Sequence, residues 1–143
     1  MTIDPTIKVV LGFDFGKKRI GVAIGQTITK SARPLTTIKN KIAENNWDDI
    51  TKIINQWLPD ALIVGVPLNM DGTEQAITHD ARKFAAYLKE NFQIAVYEID
   101  ERLTSKDARE RLFKEGGYKA LQDGQVDSVA AQLIIQNWFA ENS

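Results

Sequence analysis

The chain contains no cysteine and only one histidine among its 143 residues. Without cysteine it can form neither disulfides nor zinc–thiolate sites, and thiol catalysis is excluded, so the cell interior is the expected compartment. No apolar run approaches the roughly 20 residues of a membrane span, and the first residues lack the basic and apolar segments of a signal peptide. These absences predict a cytoplasmic protein that does not enter a membrane.

Net charge is also lacking. Eighteen basic and 19 acidic side chains give a formal charge of −1, so the whole molecule has no bulk attraction for nucleic acid. Any such binding must be local, and basic residues do cluster at positions 17–19 and 102–119. Each cluster is either a solvated face or a local phosphate-binding surface, and the sequence leaves both interpretations open.

An aspartate, Asp14, interrupts an otherwise apolar run over residues 9–15. A short, β-branched run that is apolar on both faces is typical of a central sheet strand. An ionised carboxylate in such a strand costs several kcal/mol unless a cation compensates it. Asp14 is therefore expected to meet a metal ion or a fixed positive partner, for which Lys17 and Arg19 are the nearest alternatives.

The order of predicted elements is β, β, β, α, β, α, β, α, α. A hairpin meander that feeds into βαβ crossovers predicts an α/β fold, a mixed five-stranded sheet with helices on its faces. A chain of this length fits one domain, which we expect to span residues 1–143. Strands are predicted at 8–15, 20–26, 33–38, 61–66 and 94–99, and helices at 44–57, 74–90, 104–115 and 125–141.

Two further acids occur where later elements would meet the strand of Asp14. Asp127 falls in the first turn of the last helix, one position off its apolar stripe, where it could also serve only the helix dipole. Asp100 and Glu101 are neighbours at the end of the fifth strand and must point to opposite faces. We favour Glu101 for the site because Ile99 shares its side and would embed it.

Three carboxylates gathered from distant parts of a chain suggest a site for Mg²⁺ or Mn²⁺, with one or two ions. Magnesium prefers oxygen ligands and keeps several waters, so a few carboxylates and the oxygens of a substrate phosphate suffice. Two such ions can activate a water and stabilise a leaving oxygen in phosphodiester hydrolysis, and no histidine is required. The single histidine, His79, is predicted to lie at the surface of a helix.

Five strings carry a resemblance to the YqgF family, also called RuvX. They cover nearly the whole chain in the right order: FDFGKKRIGVAIG (13–25), ARPL (32–35), IVGVPLNMDGTE (63–74), DERLTS (100–105) and GGYKAL with VDSVAA (116–131). The resemblance implies an RNase H-like fold with strand order 3-2-1-4-5 and an antiparallel second strand. It also implies a metal-dependent nuclease that processes the 5′ end of the 16S ribosomal RNA precursor, with resolution of Holliday junctions in branched DNA as the alternative.

The same resemblance assigns residues and partners. Catalysis and metal binding fall on Asp14, Glu101 and Asp127. The implied partners are structured ribosomal RNA precursor or branched DNA, together with ribosomal precursor particles, and the protein would act as a monomer or weak homodimer. Nucleic-acid contacts are implied or suggested for Lys17, Arg19, Asn69, Arg102, Arg109 and Lys114. For Asn69, a purely structural role in a turn is an equal alternative.

Two other functional classes compete with the nuclease. Actin-like ATPases and sugar kinases also have an aspartate in a phosphate-binding hairpin, but they bind nucleotide between two domains of this general fold, and 143 residues make only one. A non-catalytic RNA-binding factor for ribosome assembly would not need the intact trio of acids. The sequence does not distinguish RNA from DNA as substrate, or exo from endo cleavage.

Overall fold

The five predicted strands form one mixed sheet in the computed structural model, which describes residues 3–101 and 126–142. The spatial order is β3-β2-β1-β4-β5, as predicted. Strand β2 runs antiparallel to both β1 and β3, whereas β4 runs parallel to β1 and to β5. The strands are β1 (Val9–Phe15), β2 (Arg19–Gln26), β3 (Ser31–Lys39), β4 (Ala61–Val66) and β5 (Ala95–Asp100).

Three α-helices are described: α1 (Asp48–Trp57), α2 (Ala76–Phe92) and α3 (Val126–Glu141). The prediction of a continuous helix from residue 44 was wrong at its start. A 3-10 turn, Ile42–Glu44, ends at Asn45, whose left-handed φ of 56° breaks the helical path. The helix begins again at Asp48, where the backbone N–H donates to the side chain of Asn46 at 3.1 Å, a local turn that asparagine favours.

The core has two layers, one on each face of the sheet. Helices α1 and α2 cover one face, where Phe13 and Phe84 meet edge to face at 5.5 Å between ring centroids. Helix α3 covers the other face, where Ile135 and Trp138 pack against Val10 and Ile63. Within the two described ranges, no helix is both long enough and apolar enough to cross a membrane.

The apolar stripe of helix α3 is predicted at residues 126, 129, 130, 133, 134 and 138, and residues 129, 133, 134 and 138 are buried. Its core positions include Ala131, Ile134 and Trp138, spaced three and four residues apart. Asp127 lies four residues before Ala131 and therefore belongs to the sheet-facing side. Its side chain is 27% exposed, which agrees with the predicted position at the edge of the buried face.

Candidate active site

Asp14 lies near the carboxyl end of β1 and faces helix α3. Phe13 and Phe15 are buried on the α2 side, so the residue between them points the opposite way. Asp14 pairs in register with Gly21 on β2 and with Gly65 on β4. Because cross-strand partners share a face of the sheet, Asp14 stands between two positions that carry no side chain.

The other two predicted acids, Asp127 and Glu101, occupy the space over those two glycines. A Cβ on Gly21 would overlap the main-chain carbonyl of Asp127, in the first turn of α3. A Cβ on Gly65 would come within 2.5 Å of Oε1 of Glu101. The fold therefore brings Asp127, Asp14 and Glu101 onto one face of the sheet, in a row across β2, β1 and β4.

The placement of Glu101 agrees with the choice made from its sequence neighbours. Strand β5 ends at Asp100, and Ile99 is buried in the core on the α3 side. The contact over Gly65 puts the Glu101 carboxylate on that same side. Alternation along the strand directs Asp100 toward the α2 face, so only one of the two acids faces Asp14.

The three acids are gathered on one face but do not form a finished set of metal ligands. Within residues 3–101 and 126–142, no three carboxylate or imidazole groups are close enough together to hold one ion. Asp127 is instead paired with Arg19, with Nε 3.1 Å from Oδ2. Carboxylates suit Mg²⁺, and the missing side chains at Gly21 and Gly65 let Asp127 and Glu101 approach Asp14, so the residues fit such an ion once Asp127 exchanges its cation.

The turn between β1 and β2 divides its basic side chains between two faces. Gly16 donates its N–H to the carbonyl of Arg19 at 3.0 Å, and a Cβ on Gly16 would come within 2.6 Å of that oxygen. Arg19 reaches Asp127 on the α3 side, whereas Lys17 lines a cavity on the α2 side. Contact of either residue with phosphate stays a prediction.

Asn40, which the sequence did not single out, holds this turn in place. Its side-chain amide donates to the carbonyl of Gly16 at 2.7 Å, and its backbone N–H donates to the carbonyl of Lys18 at 2.9 Å. One residue after β3 thus binds both ends of the Gly16–Lys18 segment. Asparagine is common in turns for its local hydrogen bonds, but only the folded chain shows that this one spans two elements.

Asn69 forms a turn after β4. Its side-chain amide donates to Oγ1 of Thr73 at 2.8 Å, and Thr73 in turn donates from its hydroxyl and its N–H to Asp71. The structural alternative for Asn69 is therefore present, and its contact with nucleic acid stays a prediction. His79 is exposed and lies 3.1 Å from a carboxylate oxygen of Glu74, consistent with its predicted surface position.

The remaining predicted contacts lie outside the described residues. This holds for the helix predicted at 104–115 and for Arg102, Arg109 and Lys114. Their roles in nucleic-acid binding therefore stay predictions.

Solved structures with this fold include two resolvases of very low sequence identity. RuvC of Thermus thermophilus, in complex with a Holliday junction substrate, superposes with a TM-score of 0.57 at 14% identity over 94% of each chain. The fowlpox virus resolvase, bound to Holliday junction DNA, gives a TM-score of 0.60 at 11% identity over 93% of this chain and 97% of that one. Such low identity shows a common fold and nothing finer.

Sequence comparison is far more specific. A Shewanella oneidensis protein named "Putative pre-16S rRNA nuclease" is 58% identical over 132 residues, which are 92% of this chain and 94% of the relative. The family model described as RuvX: Holliday junction resolvase matches residues 8–141. With the row of acids in place and nearly its whole length matched, the chain belongs to the RuvX family.

Proposed function

We propose that this protein is a nuclease that hydrolyses phosphodiester bonds near the 5′ end of the 16S ribosomal RNA precursor. One observation carries the proposal: Asp14 lies in register between Gly21 and Gly65, with Asp127 and Glu101 over the two glycines. The name of the 58% identical relative supports the choice of substrate. The full chain, residues 1–143, would act as one domain, in the cytoplasm and on ribosomal precursor particles.

Asp14, Glu101 and Asp127 would hold Mg²⁺ or Mn²⁺. The bound ions would supply activation of the attacking water and stabilisation of the leaving oxygen. The protein's own task is positioning: strand register fixes Asp14, the end of β5 fixes Glu101, and α3 fixes Asp127. Arg19 holds Asp127 beforehand and, once replaced by a cation, becomes available to a substrate phosphate.

Branched DNA is the second candidate substrate. The description of the matching family names a Holliday junction resolvase, and the two solved resolvases that share the fold are bound to such junctions. Symmetric cleavage of a junction needs two active sites, so this function would require a homodimer. The sequence leaves a monomer and a weak homodimer open, and a monomer would be compatible with the RNA substrate but not with symmetric junction cleavage.

The test compares cleavage of the precursor RNA with cleavage of a four-way DNA junction, using wild-type and Asp14→Asn protein. We expect RNA cleavage only with Mg²⁺ or Mn²⁺, and none after chelation with EDTA. Asp14→Asn should lower the rate at least about 100-fold, because even outer-shell partners of metal ligands contribute 10- to 100-fold. Asp49→Asn, a partly exposed acid on α1 beside Lys41, is the matched control and should cut like wild type.

Each outcome of this assay leads to a definite conclusion. Undiminished cleavage by Asp14→Asn would remove Asp14 from the site. Cleavage of the junction alone would transfer the proposal to branched DNA. If neither substrate is cut and Asp14→Asn still complements a deletion strain, the protein is a non-catalytic assembly factor instead.

A further inference from the structure

A cavity of about 430 Å³ opens on the α2 face of the sheet, opposite to the three acids. Its volume falls within the range of about 300–1,000 Å³ that is usual for small-ligand pockets. Aromatic rings from three separate elements line it: Phe15 from β1, Trp47 from the segment before α1, and Phe84 and Tyr87 from α2. The metal site described above does not use this cavity.

Three of the four rings at the cavity are nearly parallel to one another. Trp47 stacks on Tyr87 with centroids 3.6 Å apart and planes 8° apart, and it lies nearly parallel to Phe84 at 5.8 Å. Phe84 is buried and packs against Phe15, which anchors the stack in the core. A wall of fixed, parallel rings suits another planar group, and little conformational freedom is lost when one binds.

The rim of the cavity is charged. Lys17 and Lys83 line it together with one acid, Asp80, and all three are exposed. In the ranges that the structure describes, neither lysine forms an ion pair. An aromatic slot with a net positive rim matches a ligand that joins a planar base to an anionic phosphate.

The cavity and the row of acids lie at the same end of β1, on opposite faces of the sheet. Asp14 and Phe15 are consecutive residues of β1 that point to opposite faces, so the acid and the aromatic wall share one strand end. Lys17 at the cavity and Arg19 at Asp127 belong to the same turn. A nucleic-acid strand that passes over this turn would reach both sites.

We propose that the cavity binds one unstacked nucleotide of a single-stranded RNA segment adjoining the bond that is cut. The base lies against Trp47 and Tyr87, and the neighbouring phosphates lie at Lys17 and Lys83. The position of this nucleotide relative to the scissile bond rests on the proposed function. Its binding does not, because the cavity is complete without the acids.

The test measures the affinity of the full-length protein for short single-stranded RNA by fluorescence anisotropy, in EDTA so that no metal-dependent cleavage occurs. The comparison ligand is a ribose–phosphate chain of equal length without bases. We expect the intact RNA to bind at least about fivefold tighter, the low end of what one stacked base contributes. A DNA strand of the same sequence is the second arm, and a base preference seen with DNA alone would overturn the assignment to RNA.

Three variants test whether the preference for intact RNA arises at the cavity. Ala43→Trp places a large side chain at an exposed position of the cavity wall and should abolish the preference for bases. Lys83→Ala should weaken the binding of intact and base-free chains alike, by about threefold or more. Lys89→Ala, another exposed lysine on α2 that does not line the cavity, is the control and should bind like wild type.

Equal binding of intact and base-free chains by the wild-type protein would overturn the proposal, as would a preference that survives Ala43→Trp. Failure of the proposed function is recognised separately. In that case the Asp14 assay shows no cleavage while the base preference remains, whereas failure of this inference removes the base preference and leaves cleavage intact.

Discussion

Arg19 and Asp127 form an ion pair between the start of β2 and the first turn of α3, with Nε 3.1 Å from Oδ2. The guanidinium side chain is 64% exposed and the carboxylate side chain 27% exposed, so water screens the pair and its contribution to folding is small, at most about 1 kcal/mol. Its importance lies elsewhere. The pair occupies the carboxylate that a divalent ion would need.

Replacement of Arg19 should therefore change metal affinity. We expect Arg19→Gln to bind Mg²⁺ up to about fivefold more tightly than wild type, because the ion no longer competes with an exposed pair worth up to about 1 kcal/mol. Isothermal titration without nucleic acid measures the difference. Arg33→Gln removes an arginine that lies over the Trp57 ring and is the control. Unchanged Mg²⁺ affinity in Arg19→Gln would mean that the ion pair does not compete with Mg²⁺ for Asp127.

The glycine under Glu101 provides a second prediction. In Gly65→Ala the new Cβ would meet Oε1 of Glu101 and the side chain of Ile134, so the carboxylate must move. We expect cleavage to fall at least tenfold, in addition to a loss of about 1–3 kcal/mol from overpacking.

Gly25→Ala is the matched control for this variant. Its Cβ would come within 2.8 Å of Ile135, on the same face of the sheet but away from the acids. It should lose similar stability and keep its cleavage rate, measured per folded molecule. Equal loss of activity in both variants would show that Glu101 has no specific role.

Two buried threonine hydroxyls lead to opposite predictions for stability. Thr78 is fully buried, accepts from the N–H of Gln75 at 2.9 Å and donates to the carbonyl of Pro67, which joins the start of α2 to the end of β4. Thr78→Val should lower the free energy of unfolding by about 1–3 kcal/mol, because polar partners are left unsatisfied.

The Thr37 hydroxyl, by contrast, is buried and has no hydrogen-bond partner within the described part of the chain. Thr37→Val should therefore be neutral or slightly stabilising, since the cost of a buried, unpaired hydroxyl disappears. Urea unfolding of both variants gives the comparison. A loss for Thr37→Val as large as that for Thr78→Val would mean that the hydroxyl has a partner in the folded protein.

Local patterns predicted the sheet well. The apolar runs of β1, β2 and β4 predict these three strands. An acid inside such a run, as Asp14 is in β1, can be recognised in the sequence without a structure. The face chosen for Glu101 also followed from strand alternation alone. Period-two geometry is rigid, so one buried neighbour such as Ile99 fixes the direction of the next residues.

The features that were missed depend on contacts between distant residues. The sequence did not show where α1 starts. Asn45 adopts a left-handed conformation that ends the 3-10 turn before α1 begins. Trp47 and Tyr87 are 40 positions apart in sequence, and only tertiary packing stacks them into one wall.

The two hydrogen bonds from Asn40 to the Gly16–Lys18 segment have a mechanical consequence. Asn40 also lines the aromatic cavity, so it links the cavity wall to the turn next to Asp14. If one strand occupies both proposed sites, these two hydrogen bonds help to fix the spacing between the bound base and the row of acids.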